Sequence, residues 1–215
     1  MVLQKLKFLL FHHIIDPIFP EKCCGCGREV AIKKYCFCID CLNHITIAPS
    51  LHERIFSLAL YEGPVMNAIH TYKYKKRKWI AFSFATWMND FITQHSEIKF
   101  DIIIPVPLHP VKEFKRSFNQ SWLIAFHLGK MQNKPAVYHA LVKTKNNRSQ
   151  TNLDINERKE NVANVYKVRN TSIIKDKKIL VIDDVYTTGA TIEEVYKTLK
   201  KNGAREVKVL TVAKA

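Results

Sequence analysis

The chain has 215 residues, enough to bury one full α/β core and a small appendage. Its 47% hydrophobic and 25% charged residues are an ordinary soluble composition, without repeats or low-complexity tracts. The 34 Lys and Arg outweigh the 19 Asp and Glu to give +15, which predicts polyanionic company, nucleic acid first and an anionic membrane surface second. A generally basic proteome would give the same excess.

Residues 3–15 read as an amphipathic helix that stops before Asp16-Pro17, because proline cannot continue it. This start resembles a signal peptide in its basic and apolar residues. It lacks a small-residue cleavage site, and His12, His13 and Asp16 interrupt it. The richest apolar window, 79–92, is broken by Ser83, Thr86, Asn89 and Asp90 and is too short to span a bilayer. The expected address is cytoplasmic, with reduced thiols and no integral membrane association.

All six cysteines follow within nineteen positions. Cys23-x2-Cys26 and Cys38-x2-Cys41 form two knuckles, each able to offer two thiolates to one tetrahedral Zn²⁺. Gly25 and Gly27 permit the tight backbone of the first. A four-thiolate shell leaves no open position, so the metal's role would be structural. The same set would also hold an iron–sulfur cluster, and Cys24 and Cys36 remain to substitute in it. The expected organisation is therefore a helix and zinc module over 1–50, then one domain over 51–215.

Leu58 to Tyr61 reads as a strand that turns at Glu62-Gly63-Pro64 into a helix carrying Val65, Ile69 and Tyr72. Then comes Tyr72-Lys-Tyr-Lys-Lys-Arg-Lys-Trp79, where Lys73, Lys75, Lys76, Arg77 and Lys78 are interleaved with three aromatics. Cations for phosphates and ring faces for stacking suit a single-stranded nucleic acid. A solvated turn anchored by its aromatics fits the same residues. Residues 79–94 read as a largely buried helix, and Asp101 to Pro107 as a buried strand ending in two prolines. His109 and Pro110 continue as loop, with Lys112, Lys115 and Arg116 after it and a helix carrying Trp122, Leu123, Phe126 and Leu128 beyond. Lys143 to Lys159 is a polar, basic insert, and short strands are expected near 165–168 and at 207–212.

Between those last strands lies Ile179-Leu-Val-Ile-Asp183-Asp184, then Val185-Tyr186-Thr187-Thr188-Gly189-Ala190-Thr191, then a helix with Ile192, Val195, Tyr196 and Leu199 on one face. A strand, a Thr/Gly turn and a helix N-terminus would aim N–H groups and hydroxyls at a phosphate. Two carboxylates beside it suit sugar hydroxyls, or a divalent cation that bridges to phosphate.

This run resembles the phosphoribosyl-diphosphate (PRPP) motif of type I phosphoribosyltransferases. The resemblance implies an α/β fold, an open and mainly parallel sheet with flanking helices. It implies that Asp183 and Asp184 meet the ribose hydroxyls with Mg²⁺ nearby, and that Thr187, Thr188, Gly189, Ala190 and Thr191 cradle the 5′-phosphate. His109, Lys112 and Arg116, in the loop after the central strand, would then face the pyrophosphate. Lys143 and Arg158 would do so from a mobile loop that closes over the site.

More of the chain agrees with one branch. The cysteine knuckles, Tyr61-Glu-Gly63, Lys73-Tyr-Lys75, Pro105-Val-Pro-Leu-His109, Arg116-Ser-Phe-Asn-Gln120, then Gln150, Leu153, Arg158 and Asn161 resemble the ComF family, and cover nearly the whole chain. That family implies PRPP binding, single-stranded DNA binding and a part in DNA uptake during natural transformation, beside other DNA-uptake or recombination proteins. Two departures stand out: the family usually has glycine at Ser117 and arginine at Lys143. The other implied reading is a nucleobase phosphoribosyltransferase. The 6-oxopurine type carries aspartate where Thr187 stands, and threonine cannot take the purine's proton at neutral pH. A pyrimidine type tolerates threonine there. No residue is assigned a catalytic role from the sequence.

Overall fold

The computed structural model describes residues 22–29, 34–49, 53–144 and 165–215. The expected helix over 3–15, and Arg158 with most of the polar insert, lie outside the described residues. Four strands build the main sheet: β1 (Ile55–Leu60), β2 (Ile102–Pro105), β5 (Lys178–Tyr186) and β6 (Glu206–Lys214), in the order β1-β6-β5-β2. All three neighbouring pairs are parallel. Two short strands, β3 (Leu141–Lys143) and β4 (Tyr166–Val168), pair antiparallel beside it.

Both faces of this sheet are covered, as a parallel sheet requires. Successive side chains of a strand alternate between faces, and β5 shows the split directly. Leu180 and Ile182 are buried with α2 (Gly63–Tyr74), α3 (Ile80–Gln94) and α5 (Gln120–Gln132). Ile179 and Val181 are buried on the other face with the β3–β4 pair and α6 (Ala190–Lys201), which contributes Ile192, Val195 and Leu199. Each such fully buried Leu or Ile is worth about 1.5–3 kcal/mol over its exposed state. The sheet edges are covered too. Ala48 N–H bonds to Leu58 O along β1, and Val137 N–H to Ile103 O along β2.

The long helix after β2, α5, lies on one face, and the helix that follows β5, α6, lies on the other. The chain therefore diverges at the carboxyl ends of β2 and β5, which opens a crevice there.

The structure departs from the periodicity at three places. Residues 110–116 form a helix, α4 (Pro110–Arg116), where a loop was expected. Pro110 opens it, and His109 Nδ1 caps it by accepting from Val111 N–H. The strand β5 runs on through Asp183 and Asp184 to Tyr186, because β6 continues alongside it to Lys214. Polar residues are held in the strand by that pairing, against their own propensity. Leu141 to Lys143 is a strand because β4 lies opposite.

The cysteine module is folded against the same core. Its short helix α1 (Ile39–Asn43) carries Cys41, and Phe37 packs edge-on to Trp87 of α3, ring centroids 6.1 Å apart. Tyr35 stacks on the same Trp87 at 5.2 Å. Asn67 of α2 donates from Nδ2 to Gly25 O at 2.8 Å.

Candidate functional site

Asp183 lies opposite Thr211 of β6 and next to the end of β2, where Val106 N–H bonds to Ile182 O. The two carboxylates are held differently. Asp183 Oδ1 accepts from Ser121 Oγ at 2.8 Å and from the Asp184 N–H at 2.9 Å. Asp184 is only 4% exposed, and its Oδ2 faces Lys73 Nζ at 2.9 Å. Burial, then the adjacent Asp184 charge, push the Asp183 carboxyl up to about 7. Ser121, the Asp184 N–H and Lys73 oppose that rise.

Ser121 reaches Asp183 because α5 begins at this point. Asn119 caps α5 by accepting from Trp122 N–H, while its Nδ2 donates to Val106 O. The positive end of the α5 dipole is thus set beside Asp183. Below it, the buried Tyr72 donates from its hydroxyl to Gln120 O at 2.7 Å. Burial and then the Asp184 charge hold the Tyr72 phenol well above its usual range.

Thr187, Thr188, Ala190 and Thr191 are exposed at the start of α6. Gly189 turns the chain with φ +78, and a Cβ there would collide with the Tyr186 hydroxyl. Glycine is required on both counts. On the far side of the crevice, the Tyr166 hydroxyl contacts the Thr191 side chain. Burial first, then the charge on Asp183, raise that phenol above its normal range. Lys143 Nζ lies 5.5 Å from the Tyr166 ring centre. Burial, then Lys112, push the Lys143 amine down, and Asp183 partly restores it.

Asp183 thus has Asp184, Ser121, Tyr166 and Lys143 as neighbours, the exposed turn 187–191 follows it at the end of β5, and Lys112 acts on Lys143. His109 is spent capping α4. Arg116 turns outward, its guanidinium 5.7 Å from the Tyr74 ring centre. Ser117 takes the left-handed conformation, φ 66, that glycine would occupy more easily, so the turn keeps its shape without glycine at a cost of about 1–2 kcal/mol.

The five cations read together from sequence divide. Lys75, Lys76, Arg77 and Lys78 are exposed, with Lys76 Nζ 3.2 Å from Ser117 Oγ and Lys78 Nζ 5.6 Å from the Phe118 ring centre. Tyr74 and Trp79, at 60% and 47% exposed, do not serve as anchors in the core. Phe82, three residues beyond Trp79 on α3, and Phe114 on α4 are exposed as well. Lys73 does not share this surface. It lies one helical period beyond Val65 and Ile69, so α2 carries it inward to Asp184. That spacing was readable in the sequence. Ser121 and Tyr166 had no such signal, because only the register between distant segments brings them to Asp183.

The ligand atoms of Cys23, Cys26, Cys38 and Cys41 all lie within 4.8 Å of one another, a set that could hold a metal ion. Arg28 Nε donates to Cys26 Sγ, and this bond is the chief reason the thiol is pulled down to about 6. Cys38 N–H donates to Cys23 Sγ at 3.3 Å. Burial pushes the Cys41 thiol well above its usual range, so its ionisation needs a nearby cation. Donor set and charge both fit a bound zinc.

Residues 133–215 match the phosphoribosyl transferase domain model. Over nearly its whole length the chain is similar to the Competence protein F of Haemophilus influenzae, 25% identical over 207 residues, with 90% of each chain covered. The chain thus resembles competence proteins over nearly its whole length. The Competence protein ComFC of Streptococcus pneumoniae is 28% identical over 200 residues, covering 93% of this chain and 83% of that protein. The DNA utilization protein YhgH of Escherichia coli (strain K12) is 28% identical over 192 residues, covering 87% and 81%. Among the described residues no helix is long and apolar enough to cross a membrane.

Because the fold keeps Asp183 protonated up to about pH 7, the folded state holds a proton that the unfolded chain releases near its ordinary 3.8. Stability therefore falls as pH rises through that window and levels off above it. The melting temperature of Asp183→Asn, compared with the parent chain, should rise steadily from about pH 4 to about pH 7 and level off above. A pH-independent difference would contradict the raised carboxyl. Removing the metal with a chelator, or Cys38→Ser, should lower the melting temperature of the whole chain in calorimetry, since structural zinc contributes folding free energy. An unchanged melting curve would count against a structural metal.

Proposed function

We propose that this protein binds PRPP in the crevice at the ends of β2 and β5 and binds single-stranded DNA on the exposed cations and aromatics of the α2–α3 turn, and that it acts in DNA uptake. The carrying observation is the acid pair Asp183-Asp184 beside the exposed loop 187–191 at the N-terminus of α6. The relatives' names, competence protein and DNA utilization protein, support the biological role.

The residues divide the ligand among them. The 5′-phosphate would take the Thr/Gly loop and the helix dipole. The ribose hydroxyls would donate to Asp183, whose proton can leave when a cation arrives. Lys112 and Lys143 would meet the diphosphate. Asp183 would help to hold Mg²⁺, whose charge would offset that of the diphosphate. The DNA strand would lay phosphates on Lys75, Lys76, Arg77 and Lys78 and stack bases on Tyr74 and Trp79.

A second reading is favoured by the two lysines. Lys112 and Lys143 beside the crevice suit a departing pyrophosphate, as in a pyrimidine-type phosphoribosyltransferase. Incubation with PRPP, Mg²⁺ and a panel of bases separates the readings: pyrophosphate release that depends on one base supports turnover.

Asp183→Ala combined with Asp184→Ala should abolish Mg²⁺-dependent PRPP binding in titration calorimetry; retained binding would remove the site assignment. Replacing Lys75, Lys76, Arg77 and Lys78 by Gln should weaken binding of a fluorescent oligodeoxythymidine by at least about tenfold and flatten its salt dependence. The same affinity and slope in anisotropy would leave this turn as a solvated face.

A further inference from the structure

An acid pair that serves a sugar phosphate carries two negative charges, which would repel the ligand unless cations offset them. In this protein one cation is already supplied by the chain. Lys73 Nζ sits 2.9 Å from Asp184 Oδ2, with the two side chains only 15% and 6% exposed. Among the described residues that oxygen has no other polar partner. The buried Tyr72 lies near the Asp184 charge, and its hydroxyl donates to Gln120 O in the first turn of α5.

Asp183 and Asp184 are consecutive in a strand, so their side chains leave on opposite faces of the sheet. Asp184 turns toward α2, and Lys73 and Tyr72 are its charge neighbours. Asp183 is the partly exposed member, with Tyr166 and Lys143 on its side. A single divalent ion gripped equally by both carboxylates does not fit this arrangement.

We propose that Lys73 is the resident counter-ion of the acid pair: it occupies the cation position at Asp184, leaving Asp183 alone to meet a divalent ion and the sugar hydroxyls. Lys73 is thereby a specificity-determining residue. With both carboxyls ionised, it lowers the pair from two negative charges to one, so the free protein holds divalent ions weakly, and a metal enters together with a phosphate-bearing ligand. This rests on the crevice being a sugar-phosphate site, but the metal balance can be measured without any sugar phosphate.

The test uses Mn²⁺ alone, followed by electron paramagnetic resonance on the full, zinc-loaded chain. Lys73→Met exposes a second uncompensated carboxylate and should bind Mn²⁺ about tenfold more tightly than the parent chain. Lys73→Arg keeps the charge and should bind as the parent does. Equal Mn²⁺ affinity in all three chains, or the same change in both variants, overturns the proposal, the latter because packing and not charge would then be at work.

A second measurement needs no Lys73 variant to fold. Amine acetylation read by mass spectrometry should find Lys73 protected relative to the exposed Lys75, and Asp184→Asn should release that protection. Lys73 acetylated as fast as Lys75 in the parent chain overturns the ion pair itself. Failure of the parent chain to bind PRPP would remove the proposed ligand and leave the Mn²⁺ comparison intact, so the two failures are distinguishable.

Discussion

Two adjacent carboxylates at the end of a strand buried on both faces are an electrostatic problem that much of the surrounding structure answers. Left alone, each would face a large desolvation penalty and the repulsion of its neighbour. The chain meets this with Lys73 at Asp184, and with the Ser121 hydroxyl, the α5 N-terminus and a raised carboxyl at Asp183. The position of α2, the start of α5 at Asn119, and the run of β5 beyond Ile182 are all conditions for those contacts. Strain and buried charge of this kind cluster at functional sites, where the surrounding structure has to hold them in place.

The sequence showed the site's chemistry more readily than its geometry. The apolar run from Ile179 to Ile182 and the Thr/Gly turn made a strand, loop and helix legible, because local pattern and propensity agree there. Helices α2, α3, α5 and α6 were legible from their buried stripes for the same reason. Helix α4 was hidden because prolines at 105, 107 and 110 read as loop, although Pro110 is a favourable first helical residue. Strand β3 was hidden because three residues carry almost no period, and its existence depends on β4 opposite. Lys73 was misgrouped for a different reason: composition placed it in a basic run, while the helical period of Val65 and Ile69 placed it inward. Where composition and period conflict inside a helix, the period decides, since the helix fixes the direction of each side chain.

The cysteine module was legible as a ligand set but not as part of the core. Spacing alone identified the two knuckles, and the structure brings their sulfurs within 4.8 Å of one another. Its attachment rests on Tyr35, Phe37 and Gly25, and a Cβ on Gly25 would press on Pro64 at 2.8 Å and on Cys41 Sγ at 2.9 Å. The module therefore fixes the N-terminal turn of α2 at one end, while Lys73 ties the last turn to Asp184 at the other. A helix of 12 residues is about 18 Å long, so one rigid element spans the distance from the metal ligands to the crevice.

That last turn of α2 also separates the acid pair from the exposed basic surface of a chain with +15 net charge. Lys73 points into the sheet and is spent on Asp184. Tyr74 and Lys75, the next two residues, have turned about 100° and 200° around the helix axis and face solvent. Lys76, with φ 53, ends the helix and turns the chain so that its amine meets Ser117. The turn at Ser117 lies between α4, which carries Lys112 toward the crevice, and α5, which carries Ser121 to Asp183. The two surfaces thus share backbone but not side chains. Charges on one surface act on the other only through the long-range field, which salt screens beyond about 8–10 Å.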